Sequence, residues 1–176
     1  MQNSTIKNNN IALQTCILSL FLICGYIEIV VPFFDISGIK LGLPNLIALI
    51  SFDIIGYKAT AFLSFLRVLI IQTLFGTFFT FGISFGGFLT SILIMIIMKK
   101  FFKMSIIIVS LYGSIFHWIG QVVAFGIFSK FFYWNVNIFF TAILFGIVPG
   151  LLIGVIANII LKNKYIKNIK EMKGGL

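Results

Sequence analysis

Long apolar segments separated by short polar ones run along almost the whole chain. They cover residues 11–31, 41–56, 59–75, 79–98, 105–128 and 136–161. Most are close to the roughly 20 residues that a helix needs to cross the hydrocarbon core of a bilayer. They are too long and continuous for β-barrel strands, and only helices or closed barrels satisfy their backbone hydrogen bonds in lipid. The pattern predicts an all-α membrane protein, a bundle of six transmembrane helices.

The second apolar segment is the shortest and carries Pro44 in its first turn. Proline is tolerated there because the N–H that it lacks would have no partner within the helix. We expect this helix either to stand upright in the membrane or to be partly re-entrant.

Composition agrees with a membrane protein. The chain is 60% hydrophobic and 10% charged, with a mean hydropathy of +1.16, whereas a soluble domain carries about 25% charged residues. We predict a disordered cytoplasmic N-terminus over residues 1–10, a six-helix transmembrane domain over 11–161 and a basic cytoplasmic tail over 162–176.

The net charge of +9 could indicate a nucleic-acid partner. Most of the thirteen Lys and Arg residues, however, fall on one side of the six predicted spans, and only Lys40 and Lys130 fall on the other. Positive residues are enriched on the cytoplasmic side of membrane proteins. The distribution therefore predicts that both termini are cytoplasmic in a bacterial plasma membrane, with the lipid bilayer as partner and no nucleic acid.

Six polar or charged residues within the apolar segments carry the candidate chemistry: Glu28, Asn45, Asp53, Arg67, His117 and Gln121. A charge at mid-bilayer costs about 2.5–3.5 kcal/mol on insertion scales, so such groups should face the bundle interior and find partners. At about 1.5 Å per residue, all except Asp53 converge on the outer half, with Asn45 roughly 6 Å below the outer surface. Asp53 lies near the cytoplasmic end, where we expect it to pair with Lys58 or to reach water.

Alternatives without a functional role exist for several of these residues. Arg67 could snorkel or bridge two helices. Glu28 could be a solvated helix end. His117 has no second His, Cys or carboxylate at ligand spacing, so we predict neither a metal site nor a cofactor.

Glycines form a separate pattern. Gly146, Gly150 and Gly154 make a doubled GxxxG ridge in the last segment, and Gly82 and Gly86 repeat the spacing in the fourth. Such ridges let helix backbones approach closely in lipid. We expect them to serve packing.

Two kinds of chemistry lack their motifs. Only four acidic residues are present and they are not clustered, although prenyl diphosphate chemistry by the usual route needs carboxylates that hold Mg²⁺. The chain also lacks a phosphate-binding Gly-Lys-Ser/Thr loop. We therefore expect no enzymatic activity, and any ATP-driven process would need a partner protein.

Six motifs carry a resemblance to one known family: Tyr26-Ile27-Glu28, Ile39-Lys40-Leu41-Gly42-Leu43-Pro44-Asn45, Leu66-Arg67-Val68-Leu69, Leu74-Phe75-Gly76, Ser84-Phe85-Gly86-Gly87 and His117-Trp118-Ile119-Gly120-Gln121. In these motifs the chain resembles the Gx transporter family, also labelled heptaprenyl diphosphate synthase component I. Pro44 and Trp118 stand where the family pattern has Ala and Asn.

The family is similar to the substrate-binding S components of energy-coupling-factor transporters. The resemblance implies that the chain binds a small vitamin-like or isoprenoid- or quinone-related solute near the outer face. A separate coupling membrane subunit and cytoplasmic ATPases would supply the energy. The first helix would dock on the coupling subunit through small residues, for which Ala12 and Cys16 are the candidates.

The resemblance and the polar residues together predict one substrate-binding site. Its candidate residues are Arg67, His117, Gln121, Asn45, Glu28 and Lys40. Arg67 would offer a planar fork to a carboxylate or phosphate. The alternative, taken from the historical label, is a non-catalytic membrane subunit that assists a soluble prenyl diphosphate synthase in quinone side-chain synthesis.

Overall fold

The computed structural model describes residues 2–30, 42–129 and 136–163, which form a bundle of α-helices. The helices are α1 (Gln2–Val30), α2 (Pro44–Ile54), α3 (Tyr57–Phe75), α4 (Phe78–Ile96), α5 (Ile106–Ser129) and α6 (Val136–Lys162). One turn of π-helix, Ile97–Phe101, continues α4. The all-α prediction is confirmed, and α1 begins inside the Asn-rich segment at the start of the chain.

The second helix departs from the prediction of six full spans. Five helices in the described part of the chain are long and apolar enough to cross a membrane, whereas α2 has 11 residues and is about 16 Å long. Glycines with positive φ stand at both ends, Gly42 at +86° and Gly56 at +84°, a conformation that other residues adopt only at a cost. They shorten the helix at both ends, so α2 extends through only about half of the hydrocarbon core.

Despite its length, α2 lies at the centre of the bundle. It contacts each of the other five helices, and its buried side chains include Ile47, Leu49 and Phe52. These pack with Phe21 of α1 and Met95 of α4 in the apolar core. Because α2 is short and surrounded by longer helices, its N-terminus, with buried Pro44 and Asn45, lies in the interior of the bundle.

The glycine ridge of α6 packs directly against the backbone of α5. A Cβ atom added at Gly146, Gly150 or Gly154 would lie 2.7–2.9 Å from the Cα atom of an α5 residue. The three α5 residues follow one another at four-residue steps: Ile115, Leu111 and Ile107. The predicted packing role of the ridge is confirmed.

The interface of α4 with α5 also depends on glycine. A Cβ at Gly86 would lie 2.7 Å from the carbonyl oxygen of Gly120. Beside this contact the Thr90 hydroxyl donates to the Phe116 carbonyl oxygen at 2.7 Å, a hydrogen bond between the two helices. Gly82 instead leaves room for the ring of Phe128.

Large apolar side chains cover much of the outside of the bundle. Phe78, Leu74 and Ile159 are between 65% and 78% exposed. On a soluble protein such a surface would mark an interaction site or an aggregation hazard. On five helices of membrane-spanning length it is the surface that faces lipid, so the chain is a multi-pass membrane protein.

Candidate functional site

The candidate site is built around the N-terminus of α2. The residue preceding this helix, Leu43, has no side-chain cap, and the first residue within it is Pro44. The Leu43 N–H donates to Glu28 Oε1 of α1 at 2.6 Å. A carboxylate from another helix thus supplies the missing cap, and the positive end of the α2 dipole favours its charge.

Glu28 also faces a cation. Arg67 Nη1 of α3 lies 4.0 Å from Glu28 Oε2, and the two side chains are 7% and 2% exposed. Gly25 of α1 lies against the arginine, because a Cβ there would be in van der Waals contact with Arg67 Cδ at 3.4 Å. Burial and pairing contradict the alternatives in which Glu28 is a solvated helix end and Arg67 snorkels.

His117 and Gln121 of α5 form a second polar pair, one helical turn apart. Gln121 Nε2 lies 3.1 Å from His117 Nε2, and both residues are buried. Gly87 of α4 accommodates them, because a Cβ there would lie 2.7 Å from Gln121 Cγ and 2.9 Å from His117 Cε1. A side chain at position 87 would displace this pair.

Asn45 and Gly42 connect the two pairs. Asn45 is on the first turn of α2, and a Cβ at Gly42 would lie 3.0 Å from Asn45 Nδ2 and 3.4 Å from His117 Cδ2. Gly42 is therefore in contact with both Asn45 and His117. The structure brings together five of the six residues that the sequence marked as substrate-binding, and Lys40 lies outside the described residues.

The turn after Ile54 connects α2 to the start of α3, and the N-terminus of α2 is about 16 Å from that turn. The cluster therefore lies at the opposite end of α2 from the connection to α3.

Two nitrogen atoms in the cluster lack a hydrogen-bond partner among the described residues. They are Asn45 Nδ2 and Arg67 Nε, on residues that are 7% and 6% exposed. A buried donor without an acceptor costs about 1–3 kcal/mol. Such a cost is tolerated where a ligand or water supplies the acceptor.

Asp53 belongs to a different part of the bundle. Its Oδ1 pairs with Lys99 Nζ of the π-helical turn at 3.0 Å, and Lys58 is exposed. The sequence did not predict this partner, and the Asp53 side chain keeps 16% of its surface exposed. The Lys99 pair joins the end of α2 to the end of α4, as a structural contact.

Ala12 and Cys16 are both exposed on α1. The intervening Thr15 is also exposed, and its hydroxyl donates to the Ile11 carbonyl oxygen of the same helix. This part of α1 therefore presents small side chains outwards, about 18 Å along the helix from Glu28.

A polar group at the α3–α4 connection was missed. The Gln72 amide nitrogen donates to Ser84 Oγ at 2.8 Å, and Thr80 Oγ1 donates to Gln72 Oε1 at 3.0 Å. Both atoms of the Gln72 amide are thus satisfied, and they fix the turn at Gly76. The signal was an amide within the third apolar segment, five residues after Arg67.

Trp118, next to His117 in the chain, faces α6 and not the candidate site. It is 5% exposed, and its ring stacks on Phe145 of α6 at 5.3 Å between centroids. The tryptophan therefore packs α5 against α6, whereas its neighbour faces α2.

The fold and the cluster together define a multi-pass membrane protein with a buried polar site at the tip of a short central helix. The chain matches the family described as Heptaprenyl diphosphate synthase component I over residues 17–160. Because the match covers most of the chain, the protein belongs to that family. No curated protein matches the sequence, and no solved structure matches it.

Proposed function

We propose that this protein is a membrane-embedded substrate-binding subunit, similar to an S component of an energy-coupling-factor transporter, for a small vitamin-like or isoprenoid- or quinone-related solute. It acts in the bacterial plasma membrane with both termini in the cytoplasm. Its role is to bind and not to catalyse. A coupling membrane subunit and cytoplasmic ATPases are its proposed partners.

One observation carries this proposal, the gathering of costly polar side chains in the interior of an otherwise apolar bundle. Arg67, His117 and Asn45 come from three different helices, and each is at most 7% exposed. Polar groups that served only to orient the helices in the membrane would lie near its surfaces, where their cost is small. Groups buried together in the interior of the bundle, two of them with unpartnered donors among the described residues, are what a bound solute would require.

Substitution of the site residues tests the proposal. Arg67→Ala and His117→Ala should each abolish retention of the endogenous solute by gently purified protein, read as a mass difference in native mass spectrometry. Leu69→Ala, two residues along α3 and 41% exposed, is the matched control and should retain the solute. If both site variants retain it as the wild type does, the site assignment is wrong.

The docking role of α1 has its own test. Ala12→Leu combined with Cys16→Leu should prevent co-purification with a coupling subunit and ATPases and leave solute retention unchanged. Val155→Leu enlarges an exposed side chain on α6 and should affect neither property. Unchanged co-purification of the double variant contradicts docking through this face.

The family description favours a second candidate, a non-catalytic membrane subunit of a heptaprenyl diphosphate synthase. Co-purification distinguishes the two. Recovery of a soluble, aspartate-rich prenyl diphosphate synthase supports the second candidate, whereas recovery of ATPases and a coupling subunit supports transport.

A further inference from the structure

The charges of the candidate site already balance among its described side chains. Arg67 is the cation and Glu28 the anion, and they are buried side by side. His117 adds no charge. The Gln121 amide nitrogen can only donate, so the ring nitrogen that it faces, His117 Nε2, must be an unprotonated acceptor. A neutral imidazole then carries its proton on Nδ1.

Hydrogen-bonding capacity in the site is unbalanced. Asn45 Nδ2 and Arg67 Nε are donors without an acceptor among the described residues. The carboxylate oxygens of Glu28 are in contrast engaged by the Leu43 N–H and by Arg67. The site therefore has two buried donors that a ligand oxygen could satisfy.

We infer that the site recognises an uncharged head group that presents carbonyl oxygens, and that it rejects phosphates and diphosphates. This inference rests on the proposed binding function and narrows it. A carbonyl oxygen satisfies the unpartnered donors and leaves the Arg67–Glu28 pair neutral. A phosphate would place further negative charge in a buried site whose cation is already paired, which is strongly unfavourable.

A matched set of probes on one aromatic body tests the inference. The probes are 2-acetonaphthone, which is an uncharged ketone, 2-naphthoate, which is a monoanion, and 2-naphthyl phosphate. Binding to the purified full-length chain in lipid nanodiscs is measured by isothermal titration, with empty nanodiscs subtracted. The ketone should bind saturably and more tightly than either anion. Phe62→Leu, at a position that is 60% exposed, should bind as the wild type does.

The Asn45→Leu variant tests whether the Asn45 amide contacts the ligand or has only a structural role. Loss of one neutral hydrogen bond should weaken ketone binding about two- to tenfold. If Asn45 had no ligand, removal of its unpartnered donor would instead leave ketone affinity unchanged while stabilising the protein. That result contradicts the inference.

Glu28→Gln tests the charge balance. Glutamine still offers an oxygen to the Leu43 N–H, but it leaves Arg67 without its anion. Affinity for 2-naphthoate should then rise about 30-fold or more, the equivalent of relieving one uncompensated buried charge. An unchanged affinity overturns the inference.

The remaining outcomes separate the inference from the proposed function. If the wild type binds either anion more tightly than the ketone and Arg67→Ala abolishes that binding, the inference is wrong and the binding function stands. If the wild type prefers an anion and the Lys40→Gln variant does not, the inference is likewise wrong and the binding function stands. If none of the three probes shows saturable, Arg67-dependent binding, both the inference and the binding function are contradicted.

Discussion

The two faces of α5 are packed in opposite ways. Towards α6 the helix meets a glycine ridge, and backbone approaches backbone. Towards α2 and Gly87 of α4 it presents His117 and Gln121, and these large polar side chains fill the space that Gly87 leaves open, one turn from the close contact of Gly86 with Gly120. Glycines on the neighbouring helices are needed on both faces, for different reasons.

The two faces of α5 therefore have different roles. One face packs the helix into the bundle, and the other carries polar side chains of the candidate site. Lipid supplies no hydrophobic force between helices, so close backbone packing and interhelical hydrogen bonds stabilise the bundle. The α6 face provides such packing. The opposite face carries polar groups that are costly to bury. Because α5 is fixed by its packing on α6, it can hold these groups in position.

The largest effect is expected at the charged part of the site. Arg67→Ala leaves the Glu28 carboxylate buried without its cation, and the free energy of unfolding should fall by about 3–5 kcal/mol. Reversible unfolding in mixed SDS micelles measures this loss. Arg67→Met combined with Glu28→Gln removes both charges and should recover most of the stability. A single variant as stable as the wild type would show that the pair is not buried in the membrane-embedded protein.

A smaller loss is expected on the packing face. Gly150→Leu would push a side chain into the Leu111 backbone, because even a Cβ would lie 2.9 Å from Leu111 Cα. Overpacking of this kind costs about 1–3 kcal/mol. Val155→Leu on the exposed side of α6 should stay within about 0.5 kcal/mol of the wild type. Equal stability of the two variants contradicts the close packing of α5 on α6.

Gly42 and Gly56 have the same backbone conformation, so a substitution at each separates an effect on the site from the effect of backbone strain. Gly42→Ala and Gly56→Ala both place a side chain at a positive φ, at a cost of about 1–2 kcal/mol each. An added Cβ at Gly42 meets Asn45 and His117, whereas at Gly56 nothing lies within 4 Å. Both variants should therefore lose similar stability, but only Gly42→Ala should lose the bound solute in native mass spectrometry. Loss of the bound solute in both variants would show that the loss comes from strain at the ends of α2 and not from contacts in the site.

The smallest effect is expected at the hydrogen bond between α4 and α5. Thr90→Val keeps the shape of the side chain and removes its bond to the Phe116 carbonyl, and such bonds average about 0.6 kcal/mol in membrane bundles. The Thr73 hydroxyl donates to Leu69 within its own exposed helix surface. Thr73→Val is thus the control and should change the unfolding free energy less than Thr90→Val.

Much of the architecture could be predicted from the chain because lipid restricts what an apolar segment can form. The segments at 59–75 and 105–128 match α3 and α5 within a few residues. The spacing of Gly146, Gly150 and Gly154 predicted a packed ridge, since only glycine allows that approach. The shortness of α2 was less accessible, because its limits depend on the backbone conformations of Gly42 and Gly56 and not on hydropathy.

The grouping of Arg67, His117 and Asn45 was also predictable, because each is too costly to face lipid and the interior of a small bundle has little room. Their partners were not. Glu28 caps α2, and Asp53 pairs with Lys99, and these contacts depend on how far α2 extends. Gln72 was overlooked, although it is an amide within the third apolar segment as Gln121 is within the fifth.

The sequence by itself determined that this chain is a helical membrane protein, which residues its lipid cannot accept, and where glycines let helices meet. Hydropathy and the cost of burying charge act on each segment separately, so they can be read without a structure. Tertiary structure alone decided that a short helix occupies the centre and that its N-terminus joins Glu28, Arg67 and His117. Those contacts link positions far apart in the chain, and their geometry depends on the packing of all six helices at once.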